Sequence, residues 1–197
     1  MNDPWTDQPR LSGQHVTLRP MERADRDAIV AAASDGKLWE LFYTVVPSEA
    51  TIDAYLDTAE REASYGRAMP FVVLNAAGKL VGCTRYMRMN KAARRLEIGT
   101  TFYAKSAQRS PVNSAAKLLL LTHAFEVMEA SCVQLRTDHF NHASQRAIER
   151  LGAKKEGVLR NHSIVDGRVR DTVCYSIIAN EWPGVKRNLE FKLSRES

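Results

Sequence analysis

Residues 108–121 read QRSPVNSAAKLLLL, an apolar run entered through Gln108, Arg109, Ser110 and Asn113, each of which carries hydrogen-bond donors. Ser110-Pro111 is an efficient helix start, because serine can cap and a proline at the first helical position gives up an N–H that has no intrahelical partner. A strand running through a short loop into this helix leaves the N–H groups of Val112, Asn113 and Ser114 pointing outward at the positive end of the dipole, a geometry that holds phosphate. Every helix has an N-terminus, so two readings stand side by side: a capped helix start and an anion site. A second stretch, NHASQRAIERLG, offers Asn141 as a helix cap and Ser144 as a first-turn hydroxyl. Neither residue alone is evidence of catalysis.

The elements that must position these residues follow from the hydrophobic periods. Residues 15–20 alternate Val16 and Leu18 with polar residues, as a half-buried strand does. Residues 22–34 form a helix stopped near Gly36, and KLWELF follows in a loop or short helix. A second helix begins after Pro47 with Ser48 as N-cap, turns Ile52, Tyr55, Leu56 and Ala59 inward, and ends at Gly66. From Met69 the period becomes that of strands: FVVLN, the turn AAGK, LVGCTRYMRMN and RRLEIGTTFYA give three consecutive antiparallel strands. A helix spans 111 to about 130, with Leu118, Leu119, Thr122, Phe125 and Met128 at helical spacing. Then come strand 132–138, a helix stopped by Gly152, and a hairpin turning at Asp166-Gly167. This order predicts an α/β (α+β) fold, a mixed and mostly antiparallel sheet flanked by helices.

With 197 residues and 44% hydrophobic content the chain suits one domain, placed at 11–182, with 1–10 as a loose leader and 183–197 as a polar extension or short helix. The longest apolar runs fall well short of the roughly 18 residues a membrane span needs. The leader lacks the apolar run of a secretory signal, so a cytoplasmic protein is expected. Cys83, Cys132 and Cys174 have neither disulfide nor zinc spacing and read as small buried side chains, so no metal is expected. The net charge of +5 suits a polyanionic ligand or an acidic partner. Its basic residues are scattered, which does not point to nucleic acid.

Together, the order of elements and the residues at these points resemble the GNAT superfamily of acyl-CoA-dependent N-acyltransferases, over about 11–182, and most of all its Rim-type ribosomal-protein N-terminal acetyltransferase branch. The resemblance rests on RPM near the first strand, on Glu97-Ile98-Gly99, and on AKLLLLTHAFE. It rests further on N-x-x-S-x-R-x-x-x-x-L-G (Asn141, Ser144, Arg146, Leu151, Gly152) and D-G-x-x-R-D-x-x-x-Y (Asp166, Gly167, Arg170, Asp171, Tyr175). The family's pyrophosphate loop, Q/R-x-x-G-x-G/A, aligns with Gln108, Arg109, Ser110, Pro111, Val112 and Asn113. Both glycine places are filled otherwise: Pro111 removes a donor and Asn113 adds a side chain where close backbone approach is usual. Arg109, Asn113 and Ser114 are expected to compensate with hydrogen bonds or charge.

The resemblance implies a strand-splay cleft for acetyl-CoA, the co-substrate, between residues 99–103 and 133–138. It implies that a backbone N–H near Thr101, Phe102 or Tyr103 polarises the thioester carbonyl, a role that one donor fills at about 3 kcal/mol. The acceptor is a primary amine, and an alkyl ammonium with pKa near ~10 needs a base or a water relay to lose its proton. Glu97 is the first candidate, then His139 and His162. Ser144 would protonate the departing thiolate, with Tyr175 the loose counterpart of the tyrosine that other branches use. Asn141 would hold the pantetheine arm or a water, and Arg146 or Arg150 would reach the phosphates. The amine could belong to a protein or peptide N-terminus, an amino acid, an antibiotic or a polyamine. A coenzyme A-binding module without turnover is the alternative, and a homodimer is compatible with either.

Overall fold

The computed structural model describes residues 3–195. Its strands are β1 (Leu11–Ser12), β2 (Val16–Pro20), β3 (Met69–Asn75), β4 (Leu80–Asn90), β5 (Arg95–Tyr103), β6 (Cys132–Asp138), β7 (Lys154–Val165) and β8 (Arg168–Ile178). They form one sheet in the order β1-β2-β3-β4-β5-β6-β8-β7. Neighbours are antiparallel except β5 and β6, because the helix joining those two carries the chain back across the sheet. The mixed, mostly antiparallel sheet expected from the periods is present. It carries an additional strand, β1, whose two residues are too few to show a period.

Helices α1 (Arg26–Ser34) and α2 (Ile52–Ser64) cover β3 and β4 on one face. On the other, α3 (Val112–Thr122), α4 (His142–Leu151) and α5 (Trp182–Ser194) enclose the larger core, which includes Leu18, Phe71, Tyr86, Leu96, Leu120, Leu121, Val133 and Ile177. The period-2 alternation of each strand sorts its residues between these faces: Leu96 and Ile98 face α3, while Glu97 faces away. The Asp166-Gly167 turn has positive φ at both residues (48° and 76°), the conformation a two-residue hairpin requires.

Three expectations change. The second helix starts at Ile52, with Thr51 at the cap position; Ser48 contributes its carbonyl to Ile52 N–H at 2.9 Å, while Thr51 Oγ1 accepts the N–H of Ser48. The inner face of α3 is Ala116, Leu120 and Leu121, continued by Ala124 in the π-helical turn that follows, leaving Leu118, Leu119 and, in that turn, Phe125 half-buried. Four consecutive leucines contain no polar residue to fix which side turns inward, and contact with α5 shelters a second side. Finally, the core passes both expected boundaries. Trp5 is buried, with its indole N–H donating to the Met128 carbonyl at 2.9 Å, and α5 buries Trp182, Val185, Leu189 and Leu193. A single periodic stripe is enough to bury a helix that is polar on its other sides.

Candidate active site

The pairing of β5 with β6 is confined to Arg95, Leu96 and Glu97 against Cys132, Val133 and Gln134. Beyond that point the strands separate, so residues 99–103 face a gap. The β4 side of β5 is also interrupted: Arg85 pairs with Gly99 and Cys83 with Phe102, which leaves Thr100 and Thr101 as a bulge. Thr100 sits at φ 48°, rare for a β-branched residue and the kind of local strain that clusters at functional sites. A Cβ at Gly99 beside it would lie 2.6 Å from Met87 Sδ, so the methionine side chain would have to shift. Phe102 and Tyr103 are buried as side chains, so only their backbone could meet a ligand in the gap.

Across a short loop, α3 begins at this gap. Its ladder opens with Ala115 N–H donating to the Pro111 carbonyl at 2.9 Å, which places the N–H groups of Val112, Asn113 and Ser114 ahead of it. Ser110 Oγ receives Val112 N–H at 3.4 Å and donates to the Ala107 carbonyl at 2.6 Å. Gln108 turns back to the Tyr103 carbonyl (3.0 Å), tying the loop to β5, while Arg109 stands exposed with a left-handed backbone at φ 59°. Arg150 of α4 donates to Ser114 Oγ at 3.3 Å and so brings a positive charge to the first turn of α3, where Arg146 is also exposed nearby in sequence.

Asn141 caps α4, its Oδ1 accepting Ser144 N–H at 3.0 Å. The cap fixes the turn on which the half-buried Ser144 sits. Tyr175 lies on the α3 face of β8 with its hydroxyl donating to Glu149 at 3.0 Å, and burial together with that carboxylate pushes its pKa up to about 12.

The opposite face holds the acid–base candidates. Glu97 is buried, 3.3 Å from Arg136 Nε and 3.6 Å from Arg88 Nη1. Burial raises its pKa; Arg88, Arg136 and Arg170 pull it down, and burial prevails because the arginines make no close hydrogen bond to it. His162 reaches the same face, with Nδ1 3.0 Å from Thr172 Oγ1. His139 is exposed at the end of β6, edge-on to Phe140. Residue patterning in the strands places Glu97, Gln134, Arg136, Asp138 and Arg170 on one side; the alternation in CVQLRTD is the sequence signal that points to Arg136 and Asp138.

Lys117 also escaped the sequence reading. Its side chain runs under the bulge, with Nζ 3.1 Å from Thr101 Oγ1 and 3.5 Å from Thr84 Oγ1, and those hydroxyls are 2.8 Å apart. Buried without a carboxylate partner among the described residues, it has its pKa lowered to about 7. In AKLLLL it reads as an ordinary exposed helix cation.

This arrangement has counterparts in known proteins. The acetyltransferase (GNAT) domain family matches residues 15–154. The Bacillus subtilis protein named "Putative ribosomal N-acetyltransferase YdaF" is 29% identical over 181 residues, covering 88% of this chain and 96% of that one. A crystal structure of a GCN5-related N-acetyltransferase from Brucella melitensis superposes with a TM-score of 0.82 at 28% identity, over 93% of this chain and 85% of that chain. Mycobacterium smegmatis RimJ, solved in complex with CoA-disulfide, shares the fold with a TM-score of 0.79 at 24% identity, over 98% and 97%. The chain belongs to the GNAT family and is an acyl-CoA-dependent acetyltransferase.

Proposed function

We propose that this enzyme transfers an acetyl group from acetyl-CoA to the α-amine of a peptide or protein N-terminus. The observation that carries the reading is the place of Glu97: a buried carboxylate with a raised pKa, on the sheet face opposite α3, at the last pair before β5 and β6 part. The names of relatives that act on ribosomal proteins favour a protein acceptor.

The chain fits acetyl-CoA. The bulge at Thr100 and Thr101 interrupts the pairing with β4, and past Glu97 the β6 side of β5 is unpaired, so an extended amide arm can lie there with a backbone N–H near Thr101, Phe102 or Tyr103 offered to the carbonyl. The start of α3 offers the N–H groups of Val112, Asn113 and Ser114, with Arg109 and Arg146 to add charge. Pro111 has no N–H to give, and the Asn113 amide is the replacement donor.

Glu97 accepts the proton of the incoming ammonium, directly or through a water. The neutral nitrogen attacks the thioester carbon, an N–C bond forms, and the C–S bond breaks. Ser144 gives its proton to the sulfur and regains one from the new amide nitrogen through solvent. Tyr175, engaged with Glu149, serves as an acid only after that bond opens. The test is thiol release from acetyl-CoA with a panel of peptides, amino acids and polyamines. Peptides turned over well ahead of the others support the reading, and activity confined to polyamines or amino acids overturns it.

A further inference from the structure

Beyond the part covered by α1 and α2, the face that holds Glu97 carries more positive charge than its own carboxylates balance. Arg88, Arg136, Arg168 and Arg170 share it with Glu97 and Asp138. Asp138 is almost fully buried and held by Arg168 and Arg170, while Glu97 is held by Arg88 and Arg136. These contacts are incomplete. The Nε groups of Arg136 and Arg170 lie 3.3 and 3.7 Å from carboxylate oxygens without hydrogen-bonding geometry. Together with Nε of Arg168, they are buried donors that find no hydrogen-bond acceptor among the described residues. Those Nε groups are shielded, but the side chains of Arg88 and Arg170 stay partly exposed, so their positive charge is open to an anion from outside.

The same face has an apolar edge. Phe42 and Phe140 are 61% and 53% exposed with ring centroids 6.0 Å apart, and Arg168 lies over both at 5.3 and 5.8 Å. Arg168 also bonds the Phe42 carbonyl and Asp138, so the aromatic pair is held rather than loose. Since α1 and α2 pack over β3 and β4, no helix shields β6 to β8 on this side.

Resting on the peptide reading above, we propose that this face selects an acidic acceptor: an N-terminus with Asp or Glu at its second or third residue. Arg88 and Arg170, whose terminal nitrogens are not engaged by hydrogen bonds among the described residues, take that carboxylate beside Glu97, and an adjacent apolar side chain lies on Phe42 and Phe140. Arginine is suited to this because its planar fork grips a carboxylate through two parallel bonds. The surplus charge also attracts acidic peptides before contact, in a salt-dependent way.

The experiment compares hexapeptides that differ only in Asp, Asn or Lys at the second position, by kcat/KM. Asp is expected to exceed Asn by at least about tenfold, the size of one lost charge-assisted bond, with Lys below both. The Asp advantage should shrink between low and high salt. Arg170→Gln should collapse the Asp/Asn ratio toward one, and Arg88→Gln, at a half-exposed position that tolerates change, should reduce it too. Equal use of Asp and Asn, or a preference for Lys, overturns the acidic site and leaves the peptide reading standing. Turnover of free aspartate and glutamate with every peptide refused does the reverse: it sinks the peptide reading and keeps the arginine site.

Discussion

The two faces of the sheet follow opposite rules although they are made from the same strands. Towards α3 and α5, β2 to β8 present Leu18, Phe71, Tyr86, Leu96, Ile98, Val133, Leu135, Val173, Tyr175 and Ile177, an apolar layer closed by helices. One residue along each of β5, β6 and β8 the chain presents Glu97, Arg136, Asp138 and Arg170, and no helix closes over them. Burial of apolar area stabilises the first face, whereas the second holds charged groups whose partial desolvation shifts their proton affinity. Glu97 sits at the last β5–β6 pair on the open side, and Ser144 sits on the first turn of α4, the helix that follows β6 on the other side. An acetyl group passing from thiol to amine would cross from one rule to the other. Lys117 is the exception that sharpens the contrast, a cation buried on the apolar face directly beneath the bulge.

The largest expected effect comes from removing the hydroxyl on the helix side. Ser144→Ala should lower kcat by about 10³-fold, within the range of a positioned acid, with little change in melting temperature because the Asn141 cap uses the backbone N–H of Ser144 and not its hydroxyl. A variant with full kcat would remove Ser144 from the mechanism. On the opposite face, Glu97→Gln should lower kcat about 10²-fold. Because burial raises the pKa of Glu97, activity should climb with pH as this carboxylate ionises, above the ordinary carboxylate range, and the Gln variant should lose that limb of the pH profile. A limb that survives the substitution belongs to another group.

Lys117→Met tests the exception. The lysine has a folded-state pKa of about 7 against 10.5 unfolded, so between those values the unfolded chain binds more protons and stability should rise with pH; below about 7 the full penalty is present. The methionine variant should therefore be more stable at pH 7 by about 2 kcal/mol, a figure that allows for the lost bonds to Thr84 and Thr101, and the gain should vanish by pH 10. Denaturant melts at the two pH values measure this. A stabilised variant that turns over slowly would show that the lysine is kept for the bulge and not for the fold.

The sequence made much of this visible because strands and helices announce themselves by period. The three-strand run from Met69, the Asp166-Gly167 hairpin and the Asn141-to-Gly152 helix appear where the alternation, the turn dipeptide and the cap place them. Where the pattern was uniform it was mute: Leu118 to Leu121 contain nothing to choose an inward side, and Val185, Leu189 and Leu193 are a thin stripe in a polar tail. Site residues divide in the same way. Asn141, Ser144 and Glu97 belong to motifs and could be named, though the burial of Glu97 depends on Arg88 and Arg136 arriving from other strands. Lys117 could not be read, since only the sheet above it distinguishes a buried lysine from an exposed one. The Thr100 bulge was equally hidden, because its positive φ comes from a mismatch in length between β4 and β5.

The smallest predicted effect separates a residue's service to the fold from its service to the ligand. Asn141 caps α4 through Oδ1, and on the proposed reading its amide nitrogen meets the pantetheine arm or a water. Asn141→Ala removes both and should cost about 1 kcal/mol of stability along with some affinity for acetyl-CoA. Asn141→Asp keeps a capping oxygen of equal strength, since Asp and Asn rank together at this position, and a negative charge is favourable at a helix N-terminus. Its melting temperature should match the parent, so any change in KM for acetyl-CoA reports the lost amide donor alone. If the KM of the Asp variant is unchanged while the Ala variant is destabilised, Asn141 belongs wholly to the fold, and the boundary between the two rules runs between Asn141 and Ser144 on the first turn of one helix.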